Sequence, residues 1–494
     1  MKEDVMPATQ FLANSTPCRR TRREFVWQWG GGFAAIPLID LLSTGGFLGN
    51  PLDAAEPAKP LRADRQKGPH FAAKTKQVVF FFLNGGASQV DTFDHKPALK
   101  KYAGKSYQRE LQIGSNARPV GNLTPSPFPF KKHGNSGLEI SSLFPNVAKF
   151  ADDLCVIRSM YADTPTHSPG ILQMNSGSIV TGRPSLGAWL SYGLGSLNDN
   201  LPSYVVMTDH RGGPRGGAAA WTSGFMPAVY QGTLFRSHGA PILNLNSPEG
   251  VTPDTQRRSL DLLARLNGHH VEARRGESEL AARIQSYELA YRMQTGAAEA
   301  VNVEAEPRSV RTLYGFDHKP TEYFGRQCLL TRRLLERGVR YVQLYSGGGA
   351  DSWDAHDNCP ENHRRHAAEI DRPIAALIED LKRRGMWEET LLICGGEFGR
   401  TPTSEGVDKP GRDHNQYGFS MWLAGGGVKG GQAIGATDEV GFTAVDNRVH
   451  VSDLHATILH LLGLDHELLT YFHEGLDQRL TGPSPHRFVQ QVLA

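Results

Sequence analysis

At 494 residues with 39% hydrophobic side chains, the chain can make two or three domains or one large α/β enzyme, and it is apolar enough for a core. Its formal charge of +2 excludes the strongly basic balance that nucleic acid or an anionic membrane surface asks for. No apolar run reaches the ~18 residues needed to cross a bilayer, so no stable membrane span is expected.

The chain opens on Arg19, Arg20, Arg22 and Arg23 ahead of Phe25-Val26. The string Thr21-Arg22-Arg23-Glu24-Phe25-Val26 resembles the twin-arginine export box. A Gly-rich, moderately apolar stretch follows to Leu48, then small residues such as Ala54-Ala55 that suit cleavage. Residues 1–55 therefore read as a twin-arginine signal region and 56–75 as a linker. Export machinery of that type is an expected partner, and the expected location is periplasmic or otherwise extracytoplasmic.

From there strands and helices alternate. KQVVFFFL predicts a strand over 76–83, ended by Asn84-Gly85-Gly86. Residues 103–140, rich in Gly, Pro, Ser and Asn, read as a surface excursion. A short helix is expected over 143–150 and a strand over 154–159. Thr164-Pro165-Thr166-His167-Ser168-Pro169 then leads into a helix ending near Gly177. A helix over 185–192 and a strand over 204–207 follow. The Gly- and Pro-rich stretch from Arg211 reads as an insertion lying over something, as lids do. Exposed amphipathic helices are expected over 256–274 and 277–295, a helix over 324–336 and a strand over 341–344. A Gly-rich loop with Asp351, Trp353, Asp354 and His356 precedes a long helix over 361–384. Strands over 391–394 and 419–424 bracket a polar loop, and a helix over 451–462 comes late. Such alternation predicts an α/β fold, a mostly parallel sheet flanked by helices, spanning 76–485 with an insertion at about 211–305.

Cys18 lies in the signal region, Cys155 and Cys394 in strands, and Cys328 in a helix; these spacings suit neither a zinc ribbon nor a disulfide scaffold. Cys359, in a polar loop near His356, could be reactive or a ligand. His133, His210, His363 and His366 read as surface residues.

Every polar cluster follows a strand: Asn84–Asp94, Thr164–Ser168, Asp351–His356, Glu397–Arg400 and Arg412–His414. Parallel strands gather such loops at one sheet edge, where ligands bind in open α/β sheets. Asp354, His356, Glu397 and His414 form a mixed nitrogen and oxygen donor set that suits Zn²⁺, Mn²⁺ or iron, and Ca²⁺ less well. Asp351 is a competing carboxylate. Arg400 and Arg412 would take an oxyanion. Thr166, His167 and Ser168 precede a helix N-terminus, a natural anion site, although Ser168 could simply cap that helix ahead of Pro169.

Together Asn84-Gly85-Gly86-Ala87-Ser88 with Asp91-Thr92-Phe93-Asp94, Trp353-Asp354-Ala355-His356, Gly396-Glu397-Phe398-Gly399-Arg400-Thr401-Pro402 and Gly411-Arg412-Asp413-His414 resemble a known family. It is the exported domain-of-unknown-function family 1501, within the alkaline phosphatase and sulfatase superfamily. The resemblance covers residues 75–480 and includes Leu423–Gly431. It implies an alkaline-phosphatase-like fold, a two-metal site for divalent ions (Zn, Mn, Ca or Mg) and a Ser, Thr or formylglycine nucleophile acting on phosphate or sulfate esters. His167-Ser168-Pro169 and the later Thr181-Gly182-Arg183 look like the sulfatase nucleophile segment. His167, however, stands where a sulfatase has its modified cysteine, Asn84 where the superfamily has a metal-binding Asp, and Glu397 where it has an Asp-His pair. Gln89 stands where the family usually has His. These departures weaken a second metal site, for which Asn84 and Asp91 are the candidate ligands.

The expected function is metal-dependent hydrolysis of a sulfate or phosphate ester, small-molecule or glycan, with Ser168 or Thr166 as nucleophile or positioning a water. The alternative is a degenerate member that binds a glycan or another extracytoplasmic ligand without turning it over.

Overall fold

The computed structural model describes residues 68–113, 116–236, 241–242, 250–273, 278–404, 406 and 408–494. The signal region and the start of the expected linker lie outside them.

The architecture is a nine-stranded mixed, mostly parallel sheet with helices on both faces. In chain order its strands are β1 (Gln77–Leu83), β2 (Leu154–Tyr161), β3 (Tyr204–Met207), β4 (Thr233–Phe235), β5 (Tyr341–Ser346), β6 (Thr390–Gly395), β7 (Phe419–Gly425), β8 (Gln432–Ile434) and β9 (Val449–His450). Across the sheet they run β8-β2-β7-β6-β1-β5-β3-β4, and β9 pairs with β2. All pairings are parallel except those of β7, which is antiparallel to both β6 and β2. The reason is local: the 396–418 connection contains no crossover helix, so the chain leaves β6 and re-enters the sheet from the same edge.

The central strand β1 is buried along its whole length, as its unbroken apolar run requires. Successive side chains point to opposite faces. Val79, Phe81 and Leu83 join one core with α5 (Lys319–Glu336) and α6 (Cys359–Arg383). Val78, Phe80 and Phe82 join the other with α1 (His167–Ser176), α2 (Leu186–Leu194) and α7 (Val451–Leu461). The two helices of the insertion are α3 (Pro253–Ala273) and α4 (Ser278–Val301). No helix among the described residues is long and apolar enough to cross a membrane.

Several expectations need correction. The short helix comes later, as a 3-10 helix over Val147–Asp153. His363 and His366 are fully buried beneath the sheet edge rather than exposed. Cys359 starts α6 and is buried, which pushes its thiol up to about 12 and removes it as a reactive group. The Gly- and Pro-rich insertion is only partly a cover, since its Ala220 and Trp221 are buried in the second core.

Candidate functional site

The carboxyl ends of β1, β2, β5 and β6 and the start of β7 meet at one edge of the sheet. The turn after β1 is built on Gly85, whose φ of +107° excludes most side chains and whose missing Cβ leaves room for the backbone of Trp353 and Asp354. The Gly85 amide donates to both oxygens of Glu397, at 3.0 and 3.2 Å. On the other side, Gly170 lets α1 lie against Glu397 and Phe398, where a Cβ would sit only 3.3 to 3.4 Å from them. These close approaches fix Glu397, fully buried, against the first turn of α1.

His167 is the first residue of α1, behind Thr166 at the N-cap. Its Nδ1 lies 2.7 Å from Glu397 Oε1, and its Nε2 lies 3.0 Å from Asp354 Oδ2. That second contact is off the hydrogen-bond direction, so the buried Nε2 has no hydrogen bond. His414 Nδ1 lies 2.6 Å from the Pro165 carbonyl oxygen, which can only accept, so Nδ1 carries the proton. Burial lowers the His414 pKa to about 3, helped by the charges of Arg400 and His167 and opposed by Asp354. His414 is therefore neutral, and its Nε2 lone pair faces Asp354 Oδ1 at 3.2 Å. His356 Nε2 lies 3.0 Å from each of those two atoms.

Asp354 is thus the hub. Burial would raise its pKa, but contacts with His167, His356 and His414 and the charge of Arg400 hold the carboxyl far below the usual range. For His167 burial acts downward, and the Asp354 and Glu397 contacts outweigh it and raise the pKa. The ligand atoms of His167, Asp354 and His414 lie within 4.8 Å of one another, as do those of His356, Asp413 and His414. The residues fit a divalent cation. The unprotonated His414 Nε2 faces the Asp354 carboxylate, an arrangement that repels unless positive charge stands between them, and a bound cation would take the place of the proton that the Asp354 and Glu397 contacts favour on His167. A mixed nitrogen and oxygen set is a donor set for Zn²⁺ or Mn²⁺.

Of the expected ligands, the structure brings together Asp354, His356 and His414, and it adds His167 and Asp413. Glu397 stands behind His167, where such a carboxylate fixes the tautomer of a ligating imidazole. Asn84 Nδ2 donates to the Gly347 carbonyl at 3.1 Å. Asp91 is in neither group: Arg412 Nε holds it at 2.7 Å and Ser88 Oγ at 2.6 Å. Asp351 is paired with Arg365 and Arg211.

The two arginines expected on an oxyanion face inward. Arg400 is fully buried, donates to the carbonyls of Gly85, Gly86 and Arg412, and pairs with Asp354 at 2.8 Å. Arg412, besides Asp91, donates to the Thr401 and Thr124 carbonyls. Thr166 and Ser168 are both exposed, and neither hydroxyl caps α1. Ser168 Oγ donates to the Arg215 carbonyl at 3.4 Å. Arg215 itself, from the insertion, reaches Asp354 Oδ2 at 3.0 Å. No sequence signal marked it; only the fold brings residue 215 to residue 354.

Three solved structures show the general level of resemblance. The PsFucS1 sulfatase from Pseudoalteromonas sp. is 13% identical, covering 85% of this chain and 76% of that one, with a TM-score of 0.35. The lipoteichoic acid synthase LtaP from Listeria monocytogenes is 11% identical over 83% and 75%, with a TM-score of 0.36. A TAB5 alkaline phosphatase mutant with Mg bound is 11% identical over 81% and 100%, with a TM-score of 0.33. No curated protein matches the chain significantly. The family model for "Protein of unknown function (DUF1501)" matches residues 75–493, and the chain belongs to that family.

Proposed function

We propose that this protein is an exported, divalent-cation-dependent hydrolase of phosphate or sulfate esters, small-molecule or glycan. The observation that carries the reading is the meeting of His167, His414 and Asp354, whose ligand atoms lie within 4.8 Å of one another and form a mixed nitrogen and oxygen set for a cation. Asp354, His167 and His414 would hold it, with His356 and Asp413 beside them. When bound, it would polarise an ester oxygen and acidify a water or hydroxyl. Around it, Glu397 orients His167, and Arg400 holds Asp354 in place. Ser168 and Thr166 offer exposed hydroxyls at the positive end of α1, where an anion is favoured by free backbone N–H groups. Export rests on the paired arginines before Phe25.

One observation favours the second reading, a site that binds a glycan or other ligand without turnover. His167 contacts Glu397 and Asp354 through its two nitrogens, so that Ser168 Oγ donates to the Arg215 carbonyl rather than to a base. Metal content of the protein purified from its host, followed by a screen of aryl phosphates and sulfates with added Mn²⁺, Zn²⁺, Mg²⁺ or Ca²⁺, separates the two. Bound metal with turnover supports hydrolysis. Metal without turnover on any ester, or no affinity for any of these ions, counts against the hydrolase and favours the binder.

A further inference from the structure

An ester-binding site at this edge needs a cation that can reach the substrate's oxyanion. Arg400 and Arg412 cannot supply it, because both are buried and engaged with backbone carbonyls and carboxylates. Arg215 shares the Asp354 carboxylate with Arg400 but differs in exposure. Its side chain is 48% exposed, and among the described residues it makes one ion pair, from Nη2 to Asp354 Oδ2. Among the described residues that contact is also its one side-chain hydrogen bond.

Its backbone is held firmly. Upstream, Arg211 pairs with Asp209, Asp351 and Glu369, and Asp209 also accepts from the Gly347 amide at the end of β5. Gly212 and Gly213 lie against Gly348 and Gly349, with Gly349 N donating to the Gly213 carbonyl at 3.3 Å. Downstream, Gly216 sits against Ile171 of α1, and the turn over Gly217–Trp221 buries Ala220 and Trp221. Between these anchors the Arg215 carbonyl accepts from Ser168 Oγ. A guanidinium on such a base needs only its own side chain ordered, and the Asp354 contact already directs it to the site.

We propose that Arg215 is the oxyanion-binding residue of this site. Its guanidinium takes the phosphate or sulfate oxygens of an ester lying between Asp354 and the exposed start of α1. A planar fork matches two oxygens of either group, so both anions qualify, and a lysine at this position would bind as a point charge only. The assignment rests on the reading of the site as one for esters of oxyanions, but it can be tested apart from the cation.

The test uses the full chain and three proteins: wild type, R215Q and R215K. Inorganic phosphate and inorganic sulfate are titrated calorimetrically, with and without Mn²⁺, and Mn²⁺ binding is measured separately by electron paramagnetic resonance. A charge-assisted hydrogen bond at a half-exposed site is worth about tenfold in affinity. R215Q should therefore bind phosphate about tenfold more weakly than wild type, with R215K between them and with Mn²⁺ binding undiminished. Loss of binding in R215Q with partial rescue in R215K separates anion contact from a merely structural role. Equal phosphate and sulfate affinities in wild type and R215Q, or no anion binding by wild type, overturn the assignment. If Mn²⁺ binds none of the three proteins while phosphate still distinguishes them, the cation reading falls and Arg215 stands.

Discussion

Replacing Asp354 by Asn removes the one charge on which His167, His356, His414, Arg400 and Arg215 converge. Two effects follow, and they can be separated. The first is intrinsic stability. Breaking a buried ion pair ordinarily costs about 3–5 kcal/mol because a charge is left alone. Arg400 keeps three carbonyl partners, and an Asn oxygen can still accept from it, so a loss of about 1–3 kcal/mol is expected. The second effect is cation affinity. Loss of a supporting residue behind a metal ligand costs roughly 10–100-fold, and loss of a charged ligand should cost at least the upper figure. At a Mn²⁺ concentration 100 times the wild-type Kd, wild type gains about 2.7 kcal/mol, and a variant bound 100-fold more weakly gains only about 0.4 kcal/mol. With about 2.1 cal/mol/K of unfolding entropy per residue, that difference is a Mn²⁺-induced shift in melting temperature about 2–3 °C larger for wild type. Calorimetric melts of both proteins with and without Mn²⁺ read it directly. An equal shift in the two proteins would refute the cation site, whatever their stabilities without metal.

Glu397→Gln should weaken Mn²⁺ roughly 10–100-fold by releasing the His167 tautomer, and His356→Ala should weaken it without unfolding the protein; unchanged titrations would refute either. Ser168→Ala and Thr166→Ala should each change stability by less than about 0.5 kcal/mol, since neither hydroxyl caps α1. If Ser168 attacks, S168A alone abolishes turnover of a confirmed ester; full activity in both variants would assign attack to a water. Asp91→Asn should cost about 1–3 kcal/mol at pH 7, since buried Arg412 loses its charged partner but keeps the Thr401 and Thr124 carbonyls. Burial alone would raise the Asp91 pKa, but the charge of Arg412 and the hydrogen bonds from Arg412 and Ser88 bring it below its ordinary value. The pair's contribution is thus present above the unfolded pKa of about 4 and lost as pH falls through the folded one. Urea midpoints of wild type and D91N should converge on acidification, and a constant gap would contradict this. Changing Arg22 and Arg23 to Lys in a fusion of residues 1–60 to a reporter should block export, and undiminished export would sink the twin-arginine reading.

The sheet was legible because its central strands are apolar runs with few alternatives. Strands expected over 76–83 and 204–207 appear as Gln77–Leu83 and Tyr204–Met207. Gathering of the polar clusters at one edge followed from strand direction, and it brings Asp354, His356 and His414 together. Charge alone could not show which side chains face inward. Arg400 and Arg412 read as oxyanion binders because arginine does bind oxyanions, yet the turns after β1 and β6 leave carbonyls that these guanidiniums satisfy. Arg215 went unmarked because its partner lies 139 residues away.

The buried histidines of α6 left a trace that could have been followed. Ile370, Ile374, Leu377 and Leu381 are buried at spacings of three and four, the stripe of a helix facing a core. Continued backward at the same spacing, that stripe reaches His366, His363 and Cys359, all of them buried. Histidine read as polar hides this continuity; histidine read as a ring that buries when its nitrogens are satisfied reveals it. His363 Nε2 accepts from the Ser88 amide at 2.9 Å, and its Nδ1 lies 3.5 Å from Cys359 Sγ. Burial drives its pKa down to about 3, so it is neutral and can accept that bond. Trp353 packs edge-on to it, with ring centres 5.1 Å apart, immediately before Asp354. The amino end of α6 therefore supports two sides of the site at once, the turn after β1 and the loop that carries Asp354. A helix whose outer half is charged and whose inner stripe ends in histidines is positioning a site as well as filling a core.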